Sequence, residues 1–177
     1  MAKMSIKQTQ QDEIRILNEI SNNANKSINE IAQTLGFSRQ KVWRVINKLE
    51  NNHTIWGYAT VTDQERLDKK SYIILIKRTN KPIPQELINK IIKRDLTKKG
   101  KQIGVELTNS IFTHGVYDWI IHFTANNIQE AKTFVEQLNR LYEGYISDVY
   151  MLEEMFIAVN SGVTNPEIKK LNEFFKL

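Results

Sequence analysis

Two helix signals, for helices separated only by Gly36-Phe37-Ser38, constrain this chain more than any other feature of its sequence. Ser27-Ile-Asn-Glu30 fits a capping box, in which the Ser27 hydroxyl accepts from the Glu30 N–H and the Glu30 carboxylate reaches back to the cap. A helix is expected from Ser27, with Ile28, Ile31, Ala32 and Leu35 at helical spacing. Gly36 can take the left-handed conformation that stops it, and Ser38 is a good cap for the next helix. At about 100° per residue, Val42, Val45, Ile46 and Leu49 then form one apolar stripe. Gln40, Arg44 and Asn47 cluster on the opposite side, flanked by Lys41 and Lys48.

A short Gly-containing turn between two such helices is the helix-turn-helix arrangement, whose second helix enters the DNA major groove. A generic small helical bundle with a solvated basic face is the plainer alternative. Upstream, Thr9 or a neighbour could cap a first helix carrying Ile14, Leu17 and Ile20, completing a three-helix unit. In the DNA reading, Gln40, Arg44 and Asn47 meet base edges, because Arg pairs bidentately with guanine and amides with adenine. Ser38, Arg39, Lys41 and Lys48 complete the interface, the three cations contacting phosphates and setting register. Trp43, at the edge of the stripe, is expected to pack on the first helix.

Charge is unevenly placed in a chain of net charge +5. Basic residues outnumber acidic ones 8 to 5 over residues 1–60 and 12 to 5 over 61–104, whereas acidic residues lead 10 to 5 over 105–177. The basic half suits a polyanion partner. Part of the excess lies in Lys90, Lys93, Arg94, Lys98, Lys99 and Lys101, outside the helix-turn-helix; it reads as a solvated helix face and loop or as a second nucleic-acid contact. With no cysteine, disulfides, thiolate metal sites and cysteine nucleophiles are excluded. The absence of a long apolar run and of a signal-like N-terminus leads to an expectation of a cytoplasmic protein with no membrane partner.

After residue 50 the pattern changes. Ile55 to Thr62 reads as extended, and Asp63 to Lys70 as a charged connector. Tyr72 to Ile76 follows as a strand, then a helix with Leu87, Ile88, Ile91 and Ile92, and a strand with Ile103, Val105 and Leu107. Thr113 to Gly115 forms a hairpin turn before a strand with Tyr117, Trp119, Ile121 and Phe123. Asn126 and Gln129 fit a second capping box before a helix using Ile128, Ala131, Val135, Leu138 and Tyr142. Gly144 ends that helix and Tyr145 to Val159 supplies a last strand.

The expected architecture is therefore α+β. It comprises a helix-turn-helix (winged-helix-like) domain at 1–54, a linking strand and connector at 55–70, a ferredoxin-like β-α-β-β-α-β domain at 71–160, and a C-terminal helix in 161–177. The open face of such a sheet would not be polar here, because Ile73 to Ile76 and Ile120-Ile121 place apolar side chains on both faces. A second subunit, most simply a two-fold mate, is expected to cover it. The alternative is a C-terminal helix, begun at Asn165-Pro166-Glu167 and carrying Ile168, Leu171, Phe174 and Phe175, folded over that face.

Over residues 9–160 the chain resembles the Lrp/AsnC, or feast/famine, transcription regulators, in particular their archaeal type. The resemblance rests on Val42 through Asp63, where Lys48-Leu49-Glu50, Ile55 and Gly57-Tyr58 are similar to the end of the family's recognition helix and its linking strand. It rests also on Gly115-Val-Tyr117-Asp118, similar to the family's Gly-x-Tyr-Asp turn. It implies a homodimer, tetramer or octamer bound to a palindromic site on double-stranded DNA. It also implies an amino acid or related effector sensed at subunit contacts, here near His114, Gly115, Tyr117 and Asp118. Asp118 could equally cap its turn, and His114 could be a surface turn residue. Departures are Val45 and His53, where the family usually carries Arg and Gly. Arg44 would then replace the first, and His53 or Asn52 would end the helix.

Enzyme chemistry finds little footing. His53, His114 and His122 are dispersed, with no pair at metal-ligand spacing, and there is no phosphate-cradling or nucleophile-elbow motif. Neither a cofactor nor a metal is expected. Two other function classes stand beside the regulator: a module that recruits transcription factors with weak DNA specificity, and an enzyme like the sirohaem decarboxylases of related architecture.

Overall fold

The computed structural model describes residues 6–176. The chain divides into two compact units, the first made of the residues up to Val61 together with Ser161–Val163, the second of Thr62–Asn160 and the residues from Thr164 on. The first contains α1 (Ile6–Asn22), α2 (Ile28–Leu35) and α3 (Arg39–Asn51). Ile16, Ile20, Ile31, Ala32 and Val42 form its core, with Leu35, Phe37, Val45, Ile46 and Ile55 packed around them. Two details differ from expectation. Ile16 joins the expected Ile20 on the inward side of α1, while Ile14 is 57 % exposed. Since α1 already runs from Ile6, Thr9 lies within the helix rather than at its cap.

Residues 56–63 carry no ladder in the chain by itself. The second unit is built on β1 (Lys70–Arg78), β2 (Glu106–Phe112), β3 (Trp119–Ala125) and β4 (Ile146–Glu153), in the order β2-β3-β1-β4. All neighbouring pairs are antiparallel, which is the ferredoxin-like arrangement. Strand period 2 puts Tyr72, Ile74, Ile76, Trp119, Ile121 and Phe123 into the core. There they meet Leu87, Leu96, Ala131, Phe134 and Leu138 from the helices α4 (Gln85–Ile92), α5 (Asp95–Gln102) and α6 (Ile128–Leu141).

α5 was not anticipated. Arg94, left-handed at φ 57°, separates it from α4, and Ile103 caps it instead of beginning a strand, so β2 starts only at Glu106. Gly100 allows α5 to approach closely, since a Cβ there would lie 3.2 Å from Phe134 Cε2. The cap of α6 is Asn127, one residue later than expected, with its side chain accepting from Glu130 N–H at 3.0 Å. Nor does the last strand reach Val159. β4 ends at Glu153, and Val159–Asn160 (β5) pairs instead with Val163–Thr164 (β6).

The expected C-terminal helix shrinks to a 3-10 turn at Ile168–Lys170 and one helical turn, α7 (Leu171–Phe174). Phe174 packs at a tilt against Phe156, ring centroids 5.3 Å apart. It does not cover the open sheet face. There Leu75 stands between Ile120 and Tyr150, and Ile73 between His122 and Leu152; Tyr150 and Leu152 stay nearly half exposed. His122 Nδ1 and Glu154 Oε1, 3.3 Å apart, form a polar pair on this apolar face.

Candidate nucleic-acid interface

The turn that aims α3 is fixed at both ends. Ser27 N–H donates to Glu30 Oε2 at 2.7 Å and Glu30 N–H to Ser27 Oγ at 3.2 Å, closing the capping box. The bond from the Ser27 backbone N–H, and then the Ser27 side chain, hold the Glu30 carboxyl below its usual range. Gly36 stops α2 in the left-handed region, φ 68°, where an L side chain is disfavoured. Ser38 then starts α3 by accepting from Lys41 N–H at 3.2 Å.

Val42 and Leu49 anchor α3 in the core, with Val45 and Ile46 partly buried beside them. Val45 thus points inward, and Arg44 is exposed. Gln40 and Arg39 are exposed as well and Asn47 half-buried; among the described residues these four side chains have no hydrogen-bond or ion-pair partner. Partner-free amides and guanidinium groups on one helix face are available to base edges and phosphates.

Lys41 and Lys48 are placed differently. The Lys41 ammonium is 2.5 Å from Asp12 Oδ2 on α1 and 3.8 Å from the centre of the Phe37 ring, which Arg15 approaches at 4.9 Å. Asp12 is 3 % exposed; its hydrogen bond to Lys41 lowers its pKa despite the opposing effect of burial. Lys41 is therefore tied into the domain rather than free at the surface. Lys48 pairs with Glu13 of α1 but remains 55 % exposed, so it can exchange that carboxylate for a phosphate.

Trp43 is not packed on α1 as expected. It is 57 % exposed and shares an open groove of about 580 Å³ with Arg44, Asn47, Lys48, Asn51 and Asn52. Asn51, seven residues after Arg44, lies on the same helix face and was detectable by that spacing. Asp12 and Glu13 were not, since they meet α3 only through the fold. At the end of α3, Asn52 is the cap and His53 takes the left-handed position, φ 60°. Beyond it, Tyr58 donates to Glu50 Oε1 at 2.9 Å, while Trp56 is 95 % exposed.

The candidate effector residues sit on the β2–β3 connection. Asp118 Oδ2 accepts from Arg78 N–H at 2.8 Å, and its own N–H donates to Ile76 O at 2.9 Å. Thr113 Oγ1 donates to Tyr117 O at 2.5 Å. Asp118 thus pins the hairpin to β1. Tyr117 packs edge-on to Tyr150, centroids 6.0 Å apart, while His114 and Gly115 are exposed. Among the described residues no group of three His, Cys, Asp or Glu side chains could hold a metal ion, and no helix is long and apolar enough to cross a membrane.

Residues 13–55 match the family described as winged helix-turn-helix DNA-binding. No curated protein matches the sequence. Three solved structures share the fold at low identity. An AsnC family transcriptional regulator from Agrobacterium tumefaciens is 16% identical, with TM-score 0.62, 88% of this chain covered and 95% of that one. A transcriptional regulator from Neisseria meningitidis, in complex with L-Met, is 14% identical, with TM-score 0.64 and coverage of 98% and 100%. A feast or famine regulatory protein from M. tuberculosis, complexed with L-methionine, is 11% identical, with TM-score 0.65 and coverage of 84% and 94%. The chain thus joins a segment that matches the winged helix-turn-helix DNA-binding family to a ferredoxin-like domain, and it shares its fold with solved structures of an AsnC family regulator and a feast or famine regulatory protein.

Proposed function

We propose that this chain is a sequence-specific DNA-binding transcriptional regulator of the Lrp/AsnC type, dimeric or larger, acting in the cytoplasm and not as an enzyme. The observation that carries the reading is the exposed face of α3. Gln40, Arg44 and Asn47 lie within the winged helix-turn-helix match and have no partner among the described residues. Each good bidentate base contact is worth about 1–3 kcal/mol of discrimination. Arg39, Lys48 and the Ser38 hydroxyl would contact phosphates; Lys41 would act mainly by holding α3 on α1.

A second copy of the chain would cover the apolar face formed by Ile73, Leu75, Ile120, Tyr150 and Leu152, a patch that soluble monomers rarely leave open. Two-fold symmetry would then give a palindromic site. His114, Gly115, Tyr117 and Asp118 would contribute one side of an amino-acid site completed at a subunit contact; L-methionine in two proteins of this fold supports that class of ligand.

Equilibrium titration with duplex DNA at several salt concentrations tests the reading. Two protomers making about six to eight phosphate contacts should give a slope of log affinity against log salt of roughly −5 to −7. A flat salt response contradicts it. A module that only recruits other factors would bind DNA weakly and without sequence preference.

A further inference from the structure

We propose that the split-helix segment α4–α5 of the second unit is a second contact for duplex DNA. It would hold the phosphate backbone outside the stretch met by α3. The proposal rests on the DNA-binding reading above and extends it to residues of the ferredoxin-like domain.

Residues 90–101 carry Lys90, Lys93, Arg94, Lys98, Lys99 and Lys101 against one acid, Asp95. All six cations are exposed. Lys98 pairs with Asp95 at 3.6 Å; the other five have no ion-pair partner among the described residues. Leu96 and Gly100 are the buried side of α5, so helical geometry directs Lys98, Lys99 and Lys101 away from the core.

Two features set this surface apart from an ordinary solvated face. First, Lys98 and Lys101 are like charges three residues apart within α5, a spacing that destabilises a helix, and Lys90, Lys93 and Arg94 crowd the end of α4 and the junction with no acid among them. Attraction to helix C-termini accounts for Lys90 in the last turn of α4 and for Lys99 and Lys101 in that of α5, but not for Lys98 or for Arg94, which sits at the N-cap of α5. Second, Arg94 sits in the left-handed region at φ 57°, where Gly or Asn would be less strained. A long cation kept at a strained junction points to use of its charge. Duplex DNA is the fitting partner, because the first unit brings the same molecule onto a duplex and so raises the local phosphate concentration around this segment.

The test compares 20-bp and 60-bp duplexes of one random sequence with full-length protein. The variants are Lys90→Gln/Lys93→Gln/Lys99→Gln/Lys101→Gln and Arg94→Gly. With a salt-slope contribution of about 0.9 per phosphate, the quadruple variant should make the 60-bp slope shallower by about 2 to 4. Its 60-bp affinity should fall at least tenfold, with a smaller loss on 20 bp. Arg94→Gly should melt no lower than the parent yet bind the 60-bp duplex several-fold more weakly. Unchanged 60-bp affinity and slope in both variants overturns the proposal, whether or not acidic proteins bind this surface. An equal loss in Lys132→Gln/Lys169→Gln/Lys176→Gln also overturns it, by assigning the effect to net charge. Arg39→Ala separates the two readings. If it weakens 20-bp binding while the α4–α5 variants change nothing, only the present proposal fails; if it leaves 20-bp binding intact, the α3 reading fails.

Discussion

Lys41 Nζ lies 2.5 Å from Asp12 Oδ2, so a cation three residues past the cap of α3 ties this helix to α1. Removing the ammonium leaves a carboxylate that is 3 % exposed without its counter-charge, which costs more than losing a surface pair. Lys41→Met should therefore lower the melting temperature clearly, and Asp12→Asn combined with it should recover part of the loss. The folded-state pKa of Asp12 is depressed below 3.8, first by the Lys41 hydrogen bond. Its contribution to stability is present above pH 3.8 and is lost as pH falls through the lower folded value. Thermal melts across that range should show a shallower acid-side decline for Asp12→Asn than for the parent. Identical profiles would remove Asp12 from the account.

Glu13 competes with DNA for Lys48. The pair is partly exposed, and such pairs are worth about 0–1 kcal/mol, so Glu13→Gln should leave the melting temperature nearly unchanged. Freed of its partner, Lys48 should tighten binding to every duplex sequence to a similar degree. The salt slope should steepen by about one unit. Filter binding at four salt concentrations checks this; weaker binding would show that Glu13 orients Lys48 rather than competing for it.

His53 occupies a left-handed position, φ 60°, that glycine adopts without a Cβ penalty. His53→Gly should stabilise the protein by up to about 1 kcal/mol, a rise of roughly 2–4 °C in melting temperature for a chain of this size. Calorimetry provides the measurement. A fall would mean that the imidazole makes contacts worth more than the backbone strain.

Leu152 stands opposite Ile73 on the open sheet face. If a second copy covers that face, Leu152→Glu buries a charge in an apolar interface and should weaken self-association by about 30-fold or more. Sedimentation equilibrium of parent and variant would detect it. An unaltered association constant would place the subunit contact elsewhere.

The two-domain plan was legible because its signals are local. A capping box at Ser27–Glu30, a left-handed stop at Gly36 and a cap at Ser38 each act within a few residues, and all three appear in the structure. Alternation in β3 likewise marks the inward Trp119, Ile121 and Phe123, whereas the continuous apolar run of β1 does not say which of its residues face the core. What escaped depends on distant partners or unusual backbone. Lys41 looked free because Asp12 lies 29 residues away. Trp43 looked like core because the stripe edge alone does not say whether α1 extends beneath it. α5 does not stand out in the sequence as a separate helix, because its break is made by a left-handed Arg, which propensity disfavours, rather than by Gly or Pro. Ile55 to Thr62 reads as a linking strand from its residues, but a strand needs a partner that the chain by itself does not supply.

The most direct test of the central claim is selection from a random duplex pool by the parent protein and by Arg44→Ala, each followed by sequencing. The parent should enrich one recurring motif with two-fold symmetry. Arg44→Ala should relax the preference at one symmetric pair of positions by about 1–3 kcal/mol per contact. No enriched motif with the parent, or the same motif and strength with Arg44→Ala, would contradict base recognition by α3.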